Sequence, residues 1–95
     1  MKVVWLPKAL QNLKDIKEYI DKESPKSAKM VAQKIKKTVN LIQEHPHIGK
    51  PSLVNGFREK QVKNLPFVIP YKVVDNTIII VRVFHNKQKP IDWNV

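Results

Sequence analysis

FVIPYKVV-DN-TIIIVRVFH, residues 67–85, is the stretch whose reading decides the fold of this chain. Valine, isoleucine, phenylalanine and tyrosine crowd both halves, the composition of pleated, half-buried strands. Asp75-Asn76 between them is a two-residue turn tolerant of positive φ, so the spacing predicts an antiparallel hairpin. Pro70 has no N–H to give a ladder, which predicts a bulge or an unpaired amide at that point. Alternation along residues 77–84 sets Arg82 on the face of Ile80 and Phe84. The hairpin closes on His85. Arg82 and His85 are the groups it offers to chemistry, and Pro70 and Tyr71 stand where further reactive groups could have been.

Residues 2–6, KVVWL, read as a short strand that ends at Pro7, a residue suited to the first turn of a helix. Through residues 8–22, Ala9, Leu10, Leu13, Ile16, Tyr19 and Ile20 recur at three- and four-residue spacing and predict one apolar helix face. Ser24 before Pro25 predicts a second start, with the hydroxyl capping free amides. This helix is expected over Pro25–Glu44, with the seam Ala28, Val31, Ala32, Ile35, Val39 and Ile42. Its outer face is Lys26, Lys29, Lys34, Lys36 and Lys37. The short link forces an antiparallel helical hairpin. Residues 45–56, HPHIGKPSLVNG, are a loop by their prolines and glycines, and residues 57–63 alternate as a strand. The expected fold is therefore α+β in the order β-α-α-β-β-β. The helical hairpin packs on one face of a small, mostly antiparallel sheet, leaving the other face free for function. Residues 1–95 are expected to form a single domain.

Composition narrows the function classes. There is no cysteine, which excludes disulfides and thiolate metal sites and suits a reducing compartment. The N-terminus has no apolar core with a cleavage site, and the longest strongly apolar run, Ile78 to Val81, is far too short to span a bilayer. The expected setting is the cytoplasm, with no membrane partner. Net charge is +10, and the excess begins at the second helix: +1 over residues 1–23, +5 over 24–50 and +4 over 51–95. Such a field attracts phosphate backbones or an acidic protein. His45 and His47, with only Glu44 nearby, do not make a metal site. No cofactor or metal is expected.

Six pieces in order resemble the RelE/ParE superfamily of bacterial toxins, over nearly the whole chain. They are Val4-Trp5-Leu6-Pro7 with Ala9, Leu13, Ile16 and Tyr19-Ile20; Ala28 and Ile35; His45-Pro46…Gly49-Lys50-Pro51; Gly56-Phe57-Arg58-Glu59; Ile69-Pro70-Tyr71-Lys72-Val73; and Ile80-Val81-Arg82-Val83-Phe84-His85. The P-x-x-G-x-P loop and the G-x-R-E strand start are similar to the ParE-like branch. The resemblance implies the toxin of a type II toxin–antitoxin pair, neutralised by an acidic antitoxin that wraps the helical hairpin and sheet. ParE-like members inhibit DNA gyrase. RelE-like and YoeB-like members cut mRNA in the ribosome.

The resemblance also distributes the candidate residues. Cutting RNA by attack of a 2′-hydroxyl wants a base, an acid and cations around the phosphate. His85 falls where YoeB-like members carry a histidine near the reaction centre, and imidazole titrates near neutrality. Pro70 falls where RelE-like members carry a third-strand arginine. Lys87 and Trp93 loosely match a later arginine and a C-terminal aromatic. Arg58 and Arg82 are the only arginines, and their planar forks suit phosphate or carboxylate. Arg58 reads as a contact to target or nucleic acid, or as a salt bridge within the sheet. Arg82 reads equally as functional and as a partly buried ion-pair residue. Pro70 tilts the expectation towards gyrase. The alternative is an mRNA endonuclease using His85, Arg58 and Arg82.

Overall fold

The computed structural model describes residues 1–88. Its elements are β1 (Lys2–Trp5), α1 (Pro7–Asp21), α2 (Pro25–Glu44), β2 (Lys50–Pro51), β3 (Arg58–Gln61), β4 (Phe67–Val74), β5 (Thr77–Ile80) and β6 (Phe84–His85), followed by a 3-10 turn, Asn86–Gln88. The fold is α+β, with two helices on a mixed sheet of strand order β1-β5-β4-β3-β2; β6 also pairs with β4. β1 runs parallel to β5 and the other pairs are antiparallel. Among the described residues no helix is long and apolar enough to cross a membrane.

Local chemistry explains the element ends. Asp75 and Asn76 have φ of 46° and 61°, the two left-handed residues that a tight hairpin turn needs. Pro7 and Pro25 occupy the first turns of their helices. The Ser24 hydroxyl accepts the Ser27 amide at 3.2 Å, capping α2.

The main core lies between helices and sheet. Ala9, Val31, Ile35, Val39 and Ile42 meet Ile69, Tyr71, Ile78 and Ile80 there, with Val3, Trp5, Leu13, Ile16 and Ile20 partly buried at its margin. Each fully buried aliphatic side chain contributes about 1.5–3 kcal/mol. The expected α2 seam holds except at Ala32, which is only half-buried; Thr38 is buried in the same helix. Its hydroxyl is satisfied by the Lys34 carbonyl at 2.8 Å, so burial costs little. On α1 the expected face is too broad. Leu10 is 52% exposed and Tyr19 75% exposed. Their positions flank the stripe centred on Ala9, Leu13, Ile16 and Ile20, and only that centre reaches the sheet.

Two further expectations are corrected. The second sheet face is not left open. Val68, Val81 and Phe84 form a smaller core there, with Leu6, Val54 and Phe57 packed against it. The strand expected over residues 77–84 is broken after Ile80, and Ile80 and Phe84 lie in different cores, on opposite faces. The cause is register. Tyr71 pairs with Ile80 and Val68 with Phe84, so Ile69 and Pro70 face Val81, Arg82 and Val83. That one extra residue is a β-bulge, and it inverts the alternation beyond it.

Candidate functional site

Pro70 accounts for the bulge. The Val81 amide donates to the Pro70 carbonyl at 3.0 Å, but proline has no N–H to return to the Val81 carbonyl. Arg82 supplies the missing donor: its Nη1 donates to the Val81 carbonyl at 2.7 Å. The amide of Val83 is turned out of the ladder and donates to Asn12 Oδ1 on α1 at 3.1 Å. Arg82 is therefore not simply a surface cation. It staples the bulge beside α1. Asn12 escaped the sequence reading, although a signal was present: it is a polar residue on the apolar stripe between Ala9 and Ile16.

The bulge aims His85 at the helices. Its ring meets Phe67 edge-on, with centroids 5.8 Å apart and planes at 85°. Nδ1 accepts the Lys87 amide at 3.2 Å, which places the proton of the neutral ring on Nε2. Two adjoining cavities, about 350 and 530 Å³, share Asp15, Ile16, Phe67 and His85 as lining. Arg82 and Asn12 line the smaller. Lys87 is exposed next to His85. Trp93 lies outside the described residues. Among the described residues no three His, Asp or Glu side chains gather as a metal would need.

Arg58 belongs to a different place. Its Nη1 donates to the Gly49 carbonyl at 2.8 Å. The Gly49 amide donates to the Tyr71 hydroxyl at 2.9 Å, and that hydroxyl donates to the Pro46 carbonyl at 2.7 Å. Loop, third strand and fourth strand are thus closed into one clasp. Burial pushes the Tyr71 phenol above its ordinary pKa of 10.0; the Gly49 amide and the Arg58 charge oppose this. Gly49 is required by space. A Cβ there would sit 2.7 Å from the Tyr71 ring and hydroxyl and 2.9 Å from the Glu59 carbonyl. Glu59, beside Arg58 in sequence, is 4% exposed.

The clasp and the His85 groove are separate. Arg58 pairs with Tyr71 and His85 with Phe67, four positions apart on β4 and on opposite edges of that strand. With a rise of about 3.3 Å per residue and strands about 4.8 Å apart, their backbones are roughly 16 Å from each other. The Arg58 fork turns away from β4, towards Gly49 beside β2.

The order of elements, the clasp and the bulge give a specific frame for comparison. Residues 3–90 match the family model described as the ParE toxin of type II toxin–antitoxin systems, parDE. The chain belongs to the ParE toxin family. A putative toxin, Y4kP, of Sinorhizobium fredii is 31% identical over 88 residues, covering 93% of this chain and 91% of the relative. Toxin RelE2 of Caulobacter vibrioides is 35% identical over 83 residues, covering 87% and 92%. Among solved structures, the chromosomal ParDE toxin–antitoxin system from P. aeruginosa matches with a TM-score of 0.82 at 30% identity, covering 90% of this chain and 95% of that one. In this ParE-family chain the motif residues Pro46, Gly49, Arg58 and Tyr71 meet in the clasp. There these residues tie the loop to the third and fourth strands.

Proposed function

We propose that this ParE-family toxin is held inactive by a cognate antitoxin and, when released, poisons DNA gyrase in the cytoplasm. One observation carries the choice of gyrase over RNA cleavage. Arg58 is committed to the Gly49 carbonyl, on the other side of β4 from His85. Pro70 stands between them with no side-chain charge to offer. A phosphate beside His85 would have Arg82, and Arg82 already holds the Val81 carbonyl. General acid–base chemistry on RNA needs these groups around one phosphate, in hydrogen-bond reach.

A second reading, ribosome-dependent mRNA cleavage, draws on a different fact. His85 and Arg82 line the same cavity as Asp15. The two readings part in purified systems. With gyrase and supercoiled plasmid, the released toxin is expected to leave linear, cleaved DNA. No effect at excess toxin sinks the gyrase reading. Cuts in mRNA during reconstituted translation, lost on His85→Ala, would establish the second.

A further inference from the structure

The hairpin of β2 and β3 ends in a tip that lines no part of the His85 groove. Lys50 pairs with Glu59 and Pro51 with Arg58, and the Ser52 amide closes the turn on the Phe57 carbonyl at 2.9 Å. Further bonds hold residues 53–56 in one shape. The Val54 amide donates to the Ser52 hydroxyl at 3.0 Å, and the Phe57 amide donates to the Val54 carbonyl at 3.2 Å. Gly56 takes the positive φ, 86°, that a turn over residues 54–57 wants at its third position. Val54 and Phe57 pack on the smaller core, and the Lys72 ammonium lies 5.5 Å from the Phe57 ring centroid. Leu53, next to the anchored Val54, is 97% exposed. Among the described residues no other large apolar side chain stands so clear of its neighbours.

We propose that this tip docks on the gyrase protein, with Leu53 entering an apolar pocket whose rim is acidic. The inference rests on the gyrase reading above and gives it a point of contact. A backbone already fixed by hydrogen bonds has little freedom left to lose on binding, so burial of the leucine appears as affinity. Charge fixes the rim. On the hairpin Lys50 is exposed and Arg58 and Lys60 are half-buried, Lys72 adds a charge beside Phe57, and the one acid, Glu59, is buried. The complement of that surface is acidic. Nucleic acid fits it less well. Residues 52–56, SLVNG, carry no charge for a phosphate, and Phe57 packs on the core and Lys72 where a base would need an open ring. A second copy of the chain also fits poorly. One leucine from each side buries far less than a stable dimer needs, and a net charge of +10 repels its like.

The test uses the full chain with purified gyrase and has two readouts: linear DNA from supercoiled plasmid, and binding to gyrase without DNA. Leu53→Ser should raise both the toxin concentration needed for cleavage and the dissociation constant by about tenfold or more, the scale of burying one leucine. Leu53→Met, which keeps the volume, should stay within about threefold of the parent. Leu10→Ser, on α1, should also stay within about threefold, as should the affinity of Leu53→Ser for the cognate antitoxin. Lys50→Glu should weaken binding, more at low salt than at high. Thermal melting of Leu53→Ser should match the parent, since almost none of the side chain is covered. Unchanged cleavage and binding for Leu53→Ser overturn the proposal. So does lost cleavage with unchanged binding to DNA-free gyrase, which makes the tip a wedge into DNA. An equal loss for Leu10→Ser, an equal loss of antitoxin affinity, or a parent dimer that Leu53→Ser dissolves overturns it as well. If the parent leaves no linear DNA at all, the gyrase reading fails first and takes this one with it.

Discussion

Gly49 and Tyr71 touch so closely that neither can be enlarged. The Gly49 amide donates to the phenol oxygen at 2.9 Å, and a Cβ on residue 49 would come within 2.7 Å of the same ring. Two pieces of the chain that are remote in sequence are thereby held at one distance. Gly49→Ala should cost about 1–3 kcal/mol, the range for overpacking a filled site. Urea unfolding should show a lower midpoint with an unchanged slope. Gly56 separates the two causes, because its φ is +86° and a methyl group on it would meet nothing within 4 Å. There Gly56→Ala carries backbone strain alone, of about 1 kcal/mol.

Tyr71→Phe should cost about 1–3 kcal/mol, because it leaves the Gly49 amide and the Pro46 carbonyl without their partner. It should also change the alkaline limb of stability. The folded phenol ionises above its ordinary value of 10.0. Its contribution is full below pH 10. As pH rises from there towards the folded value, the unfolded chain gives up its proton first and stability falls. Phenylalanine has no such slope. The gap in urea midpoint between parent and variant should therefore narrow as pH is raised past 10.

The staple at the bulge predicts coupling between Arg82 and Pro70. Arg82→Ala removes the donor to the Val81 carbonyl and should cost about 1–2 kcal/mol. In a Pro70→Ala background the new backbone N–H can take that carbonyl. The cost of Arg82→Ala should then fall by about 0.5–1 kcal/mol, a difference that a double-mutant cycle in urea resolves. Strict additivity would mean that Arg82 holds the bulge in another way.

His85→Ala should leave growth arrest on expression within about threefold of the parent, since the proposed action on gyrase asks no proton transfer of the ring. An mRNA-cutting toxin would instead lose about a hundredfold or more with its acid or base. Comparing toxin dose against growth rate for the two forms decides the matter.

Much of this is legible in the sequence, and the residues show where legibility stops. The hairpin, both helix starts and the α2 seam follow from turn chemistry, capping and spacing, which act over a few residues. Pro70 announces a defect in the ladder, but not how the neighbouring strand absorbs it. One inserted residue among Val81, Arg82 and Val83 reverses every side chain after it, so an alternation begun correctly at Thr77 puts Phe84 on the wrong face. Leu10 and Tyr19 keep the helical period but stand at the edges of the stripe, where contact depends on the width of the sheet beneath. The clasp joins motifs that are visible one by one along the chain. Their mutual hydrogen bonds depend on the closeness of Gly49, Arg58 and Tyr71 in space, which no spacing along the chain encodes.

The parallel pairing of β1 with β5 has a consequence for how the protein is made. Lys2 lies opposite Thr77 and Trp5 opposite Ile80, so β1 leaves the ribosome long before the strand it pairs with. Until β5 emerges, residues 2–5 have no strand to pair with, and the apolar stripes of the helices lack Ile78 and Ile80. Long-range pairing of this kind must meet its closure entropy before any contact offsets it. Closure of the sheet is thus tied to synthesis of β5. A message cut short before Thr77 yields a chain that has both helices, β3 and β4 and lacks the strand that joins β1 to them.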